Sequence, residues 1–84
     1  MPAPPLAVLE IARTLIGAGF ETWCVGGAVR DAFLGISHLD WDMATSARPE
    51  VVQRLFRRTV PIGLKFGTVG VLDRDGHMHE ATTF

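Results

Sequence analysis

Residues 24–45 read CVGGAVRDAFLGISHLDWDMAT, and two features in them decide the fold. One is the glycine pair Gly26-Gly27, set between an apolar run and a helical one; the other is the aspartate pair Asp40 and Asp42, one residue apart. Thr22 to Val25 is short and rich in β-formers, so it is expected as a strand. The run after the glycines has helical character through Leu34 and is stopped by Gly35, and Leu39 to Thr45 is expected as a second strand. A diglycine between strand and helix removes side chains where a backbone must approach a ligand. It also turns the free amides of the helix amino terminus outward, which makes an anion site suited to a triphosphate. Arg30, one turn into that helix, presents a planar fork of donors to the same phosphates, and Asp31 either orients it or favours the helix start.

The aspartates follow the alternation of a strand. Asp40 and Asp42 point to one face about 6 to 7 Å apart, with Trp41 and Met43 directed the other way into a core. Two such anions repel, and a hard divalent cation between them relieves the repulsion. One or two carboxylates plus substrate phosphates are the usual protein share of a Mg²⁺ site. An isolated Asp-X-Asp is more often a strand end that exposes two acids. Here the neighbouring diglycine supplies a phosphate cradle beside the metal cradle, and the pair together points to phosphoryl or nucleotidyl transfer.

Outward from this centre, the elements alternate. Leu6, Leu9, Ala12 and Ile16, with Val8, Ile11 and Leu15 beside them, give an amino-terminal helix after the proline-rich tip, and Gly19 is placed to cap it with Phe20 folding back. Pro49 opens a further helix to about Arg58, with Val51, Val52, Leu55 and Phe56 buried and Arg54, Arg57 and Arg58 near its carboxyl end. Phe66 to Leu72 and His77 to Phe84 are expected as a hairpin joined by Asp73-Arg74-Asp75-Gly76. Trp23 and Trp41 are expected as core anchors, and His77 and His79 as surface residues without a third ligand. Lys65 is expected as an exposed lysine flanking a strand. The fold class that results is α/β (α+β), a small mixed sheet with helices.

Composition narrows the function. The chain has 84 residues, 48% of them hydrophobic, with a formal net charge of -1. That suits one small domain and supplies no strong footprint for nucleic acid, which requires an excess of Lys and Arg. Glu10 and Arg13 interrupt the apolar stretch from Leu6 to Phe20, so neither a signal peptide nor a membrane span is expected, and a cytoplasmic location is. The single cysteine, Cys24, has no internal disulfide partner and is expected as a reduced, buried thiol.

Three stretches, CVGGAVRDAFLG (24–35), DWDMATSARPE (40–50) and GLKFGTVGV (63–71), together with the closing EATTF (80–84), keep a recognisable order. This series resembles the head-domain signatures of bacterial tRNA nucleotidyltransferases and their poly(A) polymerase relatives, in the polymerase-β-like superfamily. The resemblance implies a template-independent enzyme in which Asp40 and Asp42 hold two Mg²⁺ ions. The terminal hydroxyl of tRNA attacks the α-phosphate of CTP or ATP, and pyrophosphate leaves. It implies nucleotide-binding roles for Gly27 and Arg30, with Gly26 beside them. It also implies a third carboxylate from a neighbouring strand, for which Glu80 is the candidate and a solvent-facing glutamate the alternative. Arg48 departs from the pattern, standing before Pro49 where a small capping residue is usual. Family members continue with the rest of the head and with neck, body and tail regions, so residues 1–84 are expected to be the amino-terminal part of the catalytic head, poorly stable alone. The alternatives are a poly(A) polymerase, a small stand-alone nucleotidyltransferase, and a catalytically silent binding module of the same fold.

Overall fold

In the computed structural model, which describes residues 4–26 and 41–84, the first element is helix α1, Leu6–Gly17. Its buried positions are Val8, Ile11, Ala12 and Leu15, spaced i, i+3, i+4, i+7. The stripe is rotated from the expected one: Leu6 and Ile16 are 65% and 55% exposed. Both registers satisfy helical periodicity, and the sheet beneath selects the one whose residues fit it. Gly19 ends the helix as expected, at φ 96°, and the Phe20 amide donates back to the Leu15 carbonyl at 3.1 Å.

Five strands follow: β1 Thr22–Gly26, β2 Trp41–Thr45, β3 Thr59–Gly63, β4 Thr68–Leu72 and β5 Met78–Thr83, with helix α2, Pro49–Leu55, between β2 and β3. The sheet order is β1-β2-β5-β4-β3. Among the described strands only the β2–β5 pair is parallel, in register Met43↔Ala81, so the sheet is mixed. Both helices pack on one face. There Val8, Ile11, Leu15 and Val52 meet Met43, Val69, Val71 and Ala81 in a single core.

Several expectations change here. Helix α2 stops at Leu55 instead of about Arg58, and Phe56 is already extended at φ -118°, ψ 144°, because residues 59–63 form an edge strand to which the sequence assigned no element. Arg57 and Arg58 therefore lie outside the helix, and Arg58 Nη2 donates to the Asp73 carbonyl at 2.7 Å. Residues 64–66 form a 3₁₀ turn closed by Gly67 in the left-handed region, so β4 begins at Thr68 rather than Phe66. Trp23 is 62% exposed, its indole N–H reaching the Glu21 carboxylate, because it alternates onto the uncovered face. Arg48 precedes Pro49 without a side-chain cap, as expected.

The β4–β5 turn is built on Asp73. Its Oδ1 accepts the amides of Asp75 and His77, and its Oδ2 lies 2.8 Å from His79 Nε2. His79 is thus a largely covered turn partner, with 14% of its side chain exposed, and not the surface histidine expected. The His79 hydrogen bond, aided by the two amides, holds the Asp73 carboxyl below the usual carboxylate range. A depressed folded value means that the stabilisation is present above the unfolded carboxyl pKa of about 3.9 and is lost as pH falls through the folded value.

Two outcomes follow from this fold. Gly67→Ala forces a side chain into φ 79° and places its Cβ 3.3 Å from Thr83 Cβ, and should cost about 1–2 kcal/mol in urea unfolding; an unchanged midpoint contradicts the assigned turn. Asp73→Asn keeps the oxygen that accepts the turn amides but removes the titrating charge. Its thermal midpoint should therefore fall less than that of the parent between about pH 5 and pH 2, and parallel curves contradict the role given to Asp73.

Candidate active site

Among the described residues no helix covers the opposite face of the sheet, and strand parity decides what stands on it. On β1 the outward residues are Trp23 and Val25, and Val25 pairs with Asp42 on β2. Because Met43 and Ala81 face the core as partners, Asp42 and Glu80, one residue earlier on each strand, stand side by side on the open face. A hydrogen bond confirms the adjacency: the Glu80 amide donates to Asp42 Oδ1 at 3.3 Å. This bond extends the parallel ladder one step beyond its last backbone pair, with the carboxylate as acceptor. Gly70, opposite Glu80 on β4, continues the row, and Met78 and Ile62 close over it.

Thus the expected neighbour relation between the strands carrying Asp42 and Glu80 is present, and the two carboxylates share a face. Neither forms a salt bridge to Lys, Arg or His among the described residues. The oxygens are hard donors, and the hydrogen bond to Oδ1 is the only one the Asp42 carboxylate makes among those residues. A hard divalent cation fits such a donor set. Asp40, Gly27, Arg30 and Asp31 lie outside the described residues. Gly26 is within them, as the last residue of β1 opposite Trp41.

The strand ends beneath the site are fixed by Thr45, which is fully buried. Its Oγ1 donates to the Glu21 carbonyl at 3.1 Å, accepts the Ala47 amide at 3.2 Å and lies 3.0 Å from Thr22 Oγ1. Thr83 Oγ1 donates to the Ala47 carbonyl, which ties the end of β5 to the same corner. Cys24, half-buried on the helix side opposite Met43, has its thiol pKa raised by burial, in keeping with the inert thiol expected.

An open groove runs from Trp41 and Asp42 past Glu80 to Asp73 and His77. At its far end Asp73, Asp75 and His77 bring ligand atoms within 4.8 Å of one another, a cluster the sequence reading did not assemble. Asp73 is already committed there to the turn amides and to His79, which accounts for the grouping without an ion. Among the described residues, no helix is long and apolar enough to cross a membrane.

Known proteins share this fold. The family model described as the poly A polymerase head domain matches residues 22–84. A CCA-adding enzyme of Lactiplantibacillus plantarum is 48% identical over all of this chain and 20% of its own length. One from Geobacillus kaustophilus is 49% identical over 96% of this chain and 20% of its own length. Among solved structures, the Bacillus stearothermophilus CCA-adding enzyme in complex with CTP superposes with a TM-score of 0.81 at 44% identity, covering 100% of this chain and 21% of that one. The chain therefore spans about a fifth of the length of these relatives. With a mixed five-stranded sheet, helices on one face and the head-domain match over residues 22–84, the chain belongs to the poly A polymerase head-domain family.

Proposed function

We propose that residues 1–84 form the amino-terminal part of the catalytic head of a cytoplasmic, template-independent RNA nucleotidyltransferase. In this reading it adds CMP and AMP from CTP and ATP to the 3′ end of tRNA. The observation that carries the proposal is the placement of Asp42 and Glu80 side by side on the uncovered sheet face, at the end where β1 runs into Gly26-Gly27. The relatives named above favour CCA addition over poly(A) addition, and the CTP complex of the Bacillus stearothermophilus relative supports CTP as a substrate.

In this reading Asp40 and Asp42 hold Mg²⁺ and Glu80 completes the carboxylate set from the adjoining strand. Mg²⁺ bound there supplies positive charge that lowers the pKa of the attacking 3′-hydroxyl and offsets the charge of the departing pyrophosphate. The backbone at Gly27 and the Arg30 side chain hold the triphosphate, orienting the α-phosphorus toward the hydroxyl oxygen. The new P–O bond forms to that oxygen while the bond to pyrophosphate breaks, and the hydroxyl proton passes to solvent. The hydrogen bond from the Glu80 amide holds the Asp42 carboxylate in place, so its free oxygen needs little reorganisation to act as a ligand.

Asp42→Asn tests this directly, because the amide oxygen still accepts the Glu80 amide while the charge that holds a cation is gone. In the protein at the length of its relatives, nucleotide incorporation should fall at least about a hundredfold, with the unfolding midpoint nearly unchanged. Incorporation within a few-fold of the parent would remove Asp42 from the site.

A further inference from the structure

Gly26 and Trp41 face each other as a registered pair at the point where β1 ends and β2 begins. Both lie on the helix side of the sheet, since they share the parity of Cys24 and Met43. A Cβ built on Gly26 would lie 3.1 Å from Cζ3, 3.2 Å from Cη2 and 3.4 Å from Cε3 of the Trp41 indole. The benzo edge of the ring therefore occupies the space a side chain would need. This glycine is not required by its backbone: the glycines with positive φ are Gly19, Gly67 and Gly76, among the described residues. Nor is its missing side chain open to solvent, as it is at Gly17, Gly19 and Gly76, where an added Cβ meets nothing within 4 Å.

The Trp41 Nε1 is buried and has no hydrogen-bond partner among the described residues, and the ring packs against the core as well as against Gly26. Trp41 directly precedes Asp42 on β2, so the two side chains share one stretch of backbone.

We infer that Gly26 is small in order to seat Trp41, and that the Gly26–Trp41 contact is a positioning element that sets the Asp42 carboxylate through the β2 backbone. Trp41 and Gly26 are positioning residues in this assignment, acting through Asp42 and not on the substrate. The inference rests on the metal-binding role proposed above for that aspartate. An added methyl must push the indole by a few tenths of an ångström to reach ordinary contact. A misplacement of about 1 Å costs a reacting assembly on the order of a hundredfold, so a shift of this size corresponds to about three- to tenfold.

The test compares Gly26→Ala, Trp41→Phe and the double variant with the parent, in the protein at the length of its relatives. The readouts are Mn²⁺ binding without nucleotide, kcat and KM for CTP and ATP, and the NMR signal of the Trp41 indole N–H. Gly26→Ala should shift the indole signal, weaken Mn²⁺ binding about three- to tenfold and lower kcat to a similar degree, with both KM values nearly unchanged. Trp41→Phe removes the outer edge of the ring, and in the double variant it should restore Mn²⁺ binding and kcat. A raised KM for both nucleotides without rescue would mean that Gly26 serves phosphate approach, and overturns the inference. So does an unshifted indole signal. Should Gly26→Ala fail to fold, recovery of folding and Mn²⁺ binding in the double variant supports the pairing, and an equally defective double variant refutes it. A parent that shows the indole shift on Gly26→Ala but neither binds Mn²⁺ nor incorporates nucleotide contradicts the active-site reading itself, and the positioning role falls with it.

Discussion

The packing of helices α1 and α2 on one face of the sheet fixes where every strand residue points. The two helices bury Met43, Val69, Val71 and Ala81, and alternation then obliges the neighbouring residues on β2, β4 and β5 to face the other way. Asp42 and Glu80 are placed by that rule and by the parallel register of β2 against β5. A shift of either strand by one residue would bury a carboxylate and expose a core methionine or alanine, so the hydrophobic core also enforces the site. Stability and site geometry are here a single packing problem.

What was legible in the sequence was what local chemistry dictates. The Gly19 cap, the Asp73–Gly76 turn and the alternation around Asp42 each need only near neighbours. Strand β3 escaped because Thr59-Val60-Pro61-Ile62 contains a proline, which a central strand excludes. At the sheet edge beside β4, Pro61 lacks only a donor that would have faced outward, and the strand forms. Trp23-Cys24-Val25 is apolar on both faces, so no polar alternation in it marked Trp23 as exposed. The proximity of Glu80 to Asp42 spans 38 residues, and it depends on β5 inserting between β2 and β4, which no local pattern states.

The same division holds for the glycines. Gly19, Gly67 and Gly76 answer to backbone conformation, which turn chemistry reveals. Gly26 answers to a side chain fifteen positions away, and only the strand pairing shows it. A Gly-Gly motif can therefore combine two demands: one glycine spared a side chain for packing, the next available for close backbone approach.

In the proposed function the carboxylates of Asp42 and Glu80, and not the acidic turn at Asp73, take the cation. Mn²⁺ titration followed by paramagnetic broadening of backbone amide signals separates the two. The signals of Asp42 and Glu80 should broaden first, at metal concentrations that leave Asp75 and His77 sharp. Broadening that begins at Asp73, Asp75 and His77, with Asp42 and Glu80 unaffected, would contradict it.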